Sequence, residues 1–182
     1  MRGIWVAAAI GVALASLAGP ITPAFAAVVT ATPSGFELKQ VVHIAAPPAK
    51  VYAALIQPAK WWDSGHTYSG SAANLSLDPH VGGCFCEALP NGGAVQHLTV
   101  VYVSPGAGIE LRGALGPFHD RGVDGVLAFS IKAAGDGSDL TMTNDLGGYM
   151  SEGMDKWAPK ADAMFADQLA RLTHFIETGS PG

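Results

Sequence analysis

The pattern of apolar and polar positions is clearest near the C-terminus, where residues 155–178 are spaced as one amphipathic helix. At about 100° per residue, its large apolar side chains fall within one arc of roughly 140°. Asp155 is expected to cap this helix, and Gly179 followed by Pro181 is expected to end it. A helix with such a stripe needs a partner surface, and we expect that surface to be a sheet because the preceding segments resemble strands.

Short segments before this helix alternate apolar and polar residues, as half-buried strands do. We expect seven strands, at residues 36–44, 74–78, 84–89, 95–103, 109–113, 123–132 and 140–146. Two short helices are expected after the first strand, near residues 48–55 and 60–63. Strands joined by tight turns and followed by one long helix predict an α+β fold with an antiparallel sheet that curls around the helix.

The third and fourth predicted strands are joined by Pro90-Asn91-Gly92-Gly93. Asn-Gly between alternating segments is the strongest short signal for a hairpin. With Asn91 and Gly92 as the two turn residues, the register pairs Cys84 with Thr99, Cys86 with His97, and Glu87 with Gln96. A slip of one residue would move every side chain of the strand to the opposite face.

The first residues have the pattern of an export signal. Arg2 precedes an uncharged apolar run at residues 4–18, and Ala24-Phe25-Ala26 fits a cleavage site between small residues. The run is shorter than the roughly 20 residues that span a bilayer. We therefore predict a signal peptide over 1–26, a flexible tether over 27–34 and one domain over 35–180. The predicted location is secreted, in the periplasm, with no stable membrane anchor after cleavage.

Composition narrows the partner classes. The chain has a formal net charge of −5, only 14% charged residues and 49% hydrophobic residues. It has no run of Lys and Arg, which argues against nucleic acid as a partner. The expected partner is a small hydrophobic molecule, no cofactor is expected, and binding of a partner protein stays open.

The sequence resembles the START-like, or SRPBCC, helix-grip superfamily. Within it, the chain is similar to the bacterial polyketide-cyclase/dehydrase-like and heat-shock-ATPase-activator-like proteins. The resemblance covers almost all of the chain after the signal. The fragments that carry it, in order, are Ile44-Ala45-Ala46-Pro47, residues 51–55, Trp61-Trp62, residues 74–77, Gly82-Gly83-x-Phe85-x-Glu87, His97, residues 113–117, Gly147-Gly148-Tyr149 and residues 168–172.

This resemblance implies an elongated apolar cavity between a seven-stranded sheet and the C-terminal helix. Its members bind lipids, sterols and polyketides, and some are enzymes, carriers or partners of other proteins. Since one fold hosts many functions, the resemblance alone does not identify the activity. The predicted export signal distinguishes this chain from the cytosolic co-chaperones of the group.

Cys84, Cys86 and His97 form the strongest chemical cluster. The register above places them on one face of the hairpin, which is expected to look into the cavity, with Glu87 on the other face. Four interpretations stay open. The first is two free buried thiols, and the second is a disulfide, which would need a bulge because alternate Cα atoms in a strand are about 6.5–7 Å apart. The third is a zinc or copper site whose fourth position is open or supplied by His80, and the fourth is a Cys–His nucleophile pair.

The predicted function is binding of a small lipid-like or polyketide-like molecule in the cavity. The expected ligand contacts are Trp61, Trp62, Phe85, His97, Leu115, Phe118, Tyr149, Phe165 and Gln168. Tyr149 and the 115–118 loop are expected to close the cavity mouth. The alternative is a cyclase/dehydrase-type enzyme with His97 as general base and Glu87 assisting, or a periplasmic metal or thiol site at Cys84, Cys86 and His97.

Overall fold

The structure is a computed structural model that describes residues 25–182. An eight-stranded antiparallel sheet has the order β1-β2-β8-β7-β6-β5-β4-β3 and is not closed into a barrel. The strands are β1 (Phe25–Thr32), β2 (Gly35–Ile44), β3 (Leu75–Leu77), β4 (Cys84–Ala88), β5 (Ala94–Ser104), β6 (Gly108–Gly113), β7 (Gly122–Ala134) and β8 (Gly137–Tyr149). The α-helices are α1 (Pro48–Leu55) and α2 (Ala158–Thr178). Of the predicted signal peptide, only the last two residues fall inside the described range.

Helix α2 packs on one face of the sheet, chiefly against β1, β2 and α1. Strand β2 buries every second residue, and this row includes Leu38 and Ile44. The same row contains Gln40, whose amide nitrogen donates to the backbone oxygen and to Oδ1 of Asp162 on α2, both at 2.7 Å. Apolar burial and one side-chain clamp therefore fix the helix on the sheet.

The α+β class, the antiparallel sheet and the terminal helix are confirmed, but the strand count was wrong. The sheet has an eighth strand, β1, in most of the segment predicted as a tether. Its small and Thr-rich sequence shows no alternation, and it becomes a strand because its backbone pairs with the free edge of β2. The prediction of two short helices is also corrected, since α1 is followed only by single 3-10 turns at Pro58–Lys60, Ser64–His66 and Ala72–Asn74.

The ends of α2 differ in how well the sequence predicts them. Gly179 has a left-handed φ of 87° and ends the helix as expected. The start was predicted at Asp155, but a separate 3-10 turn covers Met154–Lys156, and Trp157 occupies the cap position without a capping hydrogen bond from its side chain. Among residues 25–182, neither helix combines the length and the hydrophobicity needed to cross a bilayer.

The register of the β4–β5 hairpin agrees with the prediction at one end and differs by one residue near the turn. Cys84 pairs with Thr99 and Phe85 with Leu98, but Cys86 pairs with Gln96 and Glu87 with Val95. His97 is the extra residue of a bulge in β5. A second irregularity follows between Val100 and Tyr102. Because a bulge exchanges the two faces of a strand, the predicted faces are wrong beyond it.

Candidate functional site

A cavity of about 550 Å³ lies between the sheet and α2. Its wall is mostly apolar and comes from strands β3 to β8, from α2 and from the loops at 62–68 and 113–118. Six of the nine predicted ligand contacts line it, namely Trp62, Phe85, His97, Leu115, Phe118 and Phe165. The volume of the cavity and its mostly apolar lining are typical of sites that bind small apolar molecules.

The other three predicted contacts lie elsewhere. Trp61 is buried and its indole nitrogen donates to the Ala54 carbonyl at 3.0 Å. Tyr149 ends β8 and is 77% exposed, away from the cavity wall. Gln168 is buried, and both ends of its amide have partners. Oε1 accepts a hydrogen bond from the Asp63 backbone amide at 2.9 Å, and the amide nitrogen lies 3.1 Å from Nδ1 of His66. Gln168 thus holds a loop against α2.

One polar residue of the wall, His97, is paired with the buried Glu87 behind it. Glu87 is 0% exposed and His97 is 7% exposed. Nε2 of His97 lies 3.0 Å from Oε2 of Glu87. That oxygen also accepts from the Tyr68 amide at 3.1 Å, and Oε1 accepts from the Ser69 amide. Glu87 is not part of the cavity wall, so it reaches the cavity only through the His97 ring.

Hydrogen bonds keep the Glu87 carboxyl ionised. Burial raises its pKa, but donors from Ser69, Tyr68 and His97 outweigh burial and hold the pKa below its usual value. For His97 burial is the largest effect and lowers the pKa, although Glu87 opposes it. The pair is therefore a carboxylate and a neutral imidazole at neutral pH. Since a carboxylate only accepts, the proton of the ring is on Nε2.

The second ring nitrogen of His97, Nδ1, is buried and has no partner among the described residues. In the neutral tautomer fixed by Glu87 it carries a lone pair. It can accept a hydrogen bond from a bound molecule or take a proton from it. Sequence reasoning identified His97 and Glu87 separately but placed them on opposite faces, and the bulge at His97 brings them together.

The cysteines lie on the other face of the sheet from His97. Cys84 and Cys86 are half-buried and joined by a disulfide, with their Cα atoms 5.3 Å apart. This is the second of the four interpretations, and the bulge it requires is present. The prediction that the cysteine face looks into the cavity was wrong. The set of Cys84, Cys86 and His97 does not form a metal site in this structure, because the sulfurs are bonded to each other and His97 points to the opposite side.

Another group of potential metal ligands occurs among residues 25–182. Asp63, His66 and Asp167 bring one ligand atom each within 4.8 Å of one another. Nδ1 of His66, however, is already within 3.2 Å of Asp63 Oδ2 and 3.1 Å of the Gln168 amide nitrogen. We therefore describe this group as a polar network at the cavity rim, where His66 contributes to the lining.

Tyr68 connects the two loops above the cavity. Its hydroxyl donates to the Gly116 carbonyl at 2.7 Å and lies 3.0 Å from Nδ1 of His119. Its ring centre is 5.8 Å from that of His97. The sequence pattern gave no sign of this contact, since Tyr68 lies within a Gly/Ser-rich loop that has no periodicity.

The 115–118 loop, predicted to close the cavity mouth, buries its aromatic side chain. Phe118 is buried, with its ring centre 6.0 Å from Phe36 and 5.4 Å from Trp157. The wall near this turn also contains Asn144 and Lys160, two polar residues that the sequence did not single out. The turn is thus packed as one side of the cavity.

No protein-family model matches the chain, and no curated protein is significantly similar to it. Solved structures share its fold. A conserved protein of unknown function from Enterococcus faecalis is 16% identical, with a TM-score of 0.58 over 86% of this chain and 78% of that one. The Aha1 dimer from Colwellia psychrerythraea is 17% identical, with a TM-score of 0.52 over 79% and 97%.

A third similar structure is DynU16, a protein of the dynemicin biosynthetic locus. It is 18% identical, with a TM-score of 0.56 over 80% of this chain and 48% of that one. At such identities, likeness is evidence for the fold and not for the activity. Together with the eight-stranded sheet and the packed C-terminal helix, these comparisons assign the chain an SRPBCC-like fold.

Proposed function

We propose that this protein is exported and binds a small hydrophobic molecule, lipid-like or polyketide-like, in the cavity between the sheet and α2. The cavity of about 550 Å³ carries the proposal. Ligand sites typically have volumes of roughly 300–1,000 Å³, apolar walls and a few fixed polar groups. The one buried nitrogen without a partner on this wall, in the part of the chain described, is Nδ1 of His97.

Two further observations support parts of this proposal. The Cys84–Cys86 disulfide supports export, because disulfides persist in oxidising compartments and are rare in the cytosol. The similarity to DynU16, a protein of a biosynthetic locus, is consistent with a ligand of biosynthetic origin.

Native mass spectrometry of the protein purified from its own compartment tests ligand binding. We expect a bound small molecule that organic solvent extracts. Ala161 lies on α2 at the cavity wall, and Ala163 is exposed on the same helix. Ala161→Phe should therefore abolish the bound species while Ala163→Phe retains it. A protein that carries no molecule and takes up no N-phenyl-1-naphthylamine, a fluorescent apolar probe, would overturn the proposal.

The Glu87–His97 pair favours a second candidate function, proton transfer of the cyclase/dehydrase type. Nδ1 of His97 would remove a proton from a carbon next to a carbonyl; the C–H electron pair would form a carbon–carbon double bond, and the carbonyl π pair would move to the oxygen. The imidazolium so formed would be stabilised by the Glu87 carboxylate at 3.0 Å. Glu87 is a positioning residue in this scheme because it does not reach the cavity.

Exchange of deuterium from the methyl group of 2-acetylnaphthalene into water, followed by NMR, tests this candidate. We expect the protein to accelerate the exchange and His97→Gln to remove the acceleration, while the variant still takes up the apolar probe. Exchange at the rate of buffer alone, or acceleration that survives in His97→Gln, would leave ligand binding as the function.

A further inference from the structure

The cavity wall has an uneven distribution of charge. Among its lining residues, Lys160 is the only one with a permanent charge, and none is acidic. The Lys160 ammonium lies 4.8 Å from the ring centre of Trp157, which also lines the cavity, so the charge is held against the wall. None of the ion pairs formed by residues 25–182 includes Lys160. An apolar cavity with one cation and no counter-charge favours an anion.

The first turn of α2 adds partial positive charge at the same place. Lys160 and Ala161 belong to this end of a 21-residue helix and both line the cavity. Helix N-termini usually carry an acidic residue or a capping oxygen, because their first N–H groups have no partner within the helix. Here the first turn contains no acidic residue, and the side chain of Trp157 at the cap position makes no capping hydrogen bond to the helix.

The carboxylate that contacts Trp157 at this helix end is already engaged, and Asp155 and Asp162 do not line the cavity. Glu152 accepts from the Ser151 hydroxyl at 2.8 Å and from the Trp157 indole nitrogen at 3.3 Å. It is not part of the cavity wall. The helix end and Lys160 therefore present their positive charge to the cavity, where the protein supplies no acid to compensate it.

A second, independent feature shows that the cavity is suited to a polar ligand atom. Only 7% of the His97 surface is exposed, and the residue lines the same cavity. Its Nδ1 atom has no hydrogen-bond partner among the described residues. A buried nitrogen without a partner is costly unless a ligand satisfies it. The ionised Glu87 fixes this nitrogen as an acceptor, so it selects a hydroxyl or N–H group.

We infer that the ligand is an amphipathic anion, with its acidic group beside Lys160 at the first turn of α2, its apolar body in the cavity and a hydrogen-bond donor on His97. This inference rests on the proposed function and specifies its ligand class. A carboxylate, sulfonate or phosphate would satisfy the helix end equally well, since each offers oxygens with negative charge.

Two fluorescent probes that differ in one group test this inference. 1-Anilinonaphthalene-8-sulfonate has an apolar body, one N–H donor and one anionic group, and N-phenyl-1-naphthylamine has the same rings and N–H without the sulfonate. We expect the sulfonate to bind about fivefold more tightly, the upper range for a solvent-accessible ion pair. Ala161→Phe measures any binding outside the cavity.

Variants then assign the preference to one residue. Lys160→Gln should abolish the preference for the sulfonate over the neutral probe, measured as the ratio of the two dissociation constants, while Lys160→Arg should retain it. Lys156→Gln is the matched control, because Lys156 is exposed just before α2 and does not line the cavity. Equal affinity for the two probes, or a preference that survives in Lys160→Gln, would overturn the inference. Failure of both probes to bind would instead overturn the proposed function.

Discussion

Nε2 of His97 lies 3.0 Å from Oε2 of Glu87, and both residues are buried at the hairpin bulge of β4 and β5. The carboxylate also receives the backbone amides of Tyr68 and Ser69. One side chain thus joins the sheet, the loop above the cavity and the imidazole whose buried Nδ1 has no partner among the described residues. This convergence makes the pair decisive for both stability and function.

Replacing the carboxylate tests its structural contribution. Glu87→Gln keeps the shape but turns one acceptor oxygen into a donor, so either Ser69 or the pair of Tyr68 and His97 loses its acceptor. We expect a loss of about 1–3 kcal/mol in the free energy of unfolding, the cost of a buried donor left unpaired. Urea denaturation measures it. Glu110→Gln is the control, because Glu110 is exposed on β6, and equal stability of the two variants would contradict the prediction.

The pH dependence of stability follows from the same pair. Both pKa values are lowered by folding, from 6.5 for His97 and from 4.5 for Glu87. When the pH falls below the ordinary pKa of either group, the unfolded chain binds more protons than the folded chain. The stabilisation that the group contributes is therefore complete above its ordinary pKa and is lost as the pH falls through its lowered pKa in the folded protein. We expect the melting temperature to decrease from pH 7 to pH 4.

Two histidine variants separate this effect from the general acid response. His97→Gln should remove the part of the decrease that begins below pH 6.5. His43 has the opposite sign, since its hydrogen bond to Asp139 raises the pKa and its stabilisation is lost as the pH rises. His43→Gln should therefore leave the loss on acidification in place. A pH profile unchanged in His97→Gln would contradict the assignment.

The sequence predicts this fold well where periodicity is uninterrupted. The apolar stripe of α2, its stop at Gly179 and the alternation of β2 all appear as expected. The strand β1 could not be predicted in this way, because its pairing depends on the backbone edge of β2 rather than on its own side chains.

The site could be predicted only in part, for a physical reason. His97 was recognised as a buried polar residue, but alternation assigns faces only while the register is constant. The extra residue at His97 places the imidazole on the inward face that carries Phe85 and Glu87, while the cysteines face outward. The buried Glu87 carboxylate is stabilised by the backbone amides of Tyr68 and Ser69. These residues are distant from Glu87 in sequence, so no local sequence pattern predicts their hydrogen bonds to it.

Tyr68 is predicted to control access to the cavity. Tyr68→Phe removes the hydroxyl that contacts Gly116 and His119, and should increase amide hydrogen exchange in both loops and the release rate of N-phenyl-1-naphthylamine. Because Tyr68 is 48% exposed, global stability should change by less than about 1 kcal/mol. Tyr102→Phe is the control, since Tyr102 is 51% exposed on β5 and does not line the cavity. Equal exchange and release in the two variants would refute this role.

The disulfide is predicted to hold the bulge more than the fold. It closes a loop of only three residues, so chain entropy limits its stabilisation to about 1.5 kcal/mol. Its Cα separation of 5.3 Å is shorter than the roughly 6.6–6.8 Å of two extended strand residues. This shortens β4 between Cys84 and Cys86, and the mismatch with β5 is absorbed by His97 as the extra residue.

Cys84→Ser/Cys86→Ser should therefore reduce stability slightly while allowing β5 to sample the regular register. In that register Cys86 would oppose His97, and Glu87 would move to the face opposite from the imidazole. We expect the downfield NMR signal of the His97 Nε2 proton to broaden or disappear in this variant and in the native protein treated with a reducing phosphine. Retention of a sharp signal in both samples would show instead that Glu87, Tyr68 and Ser69 suffice to hold the bulge without the disulfide.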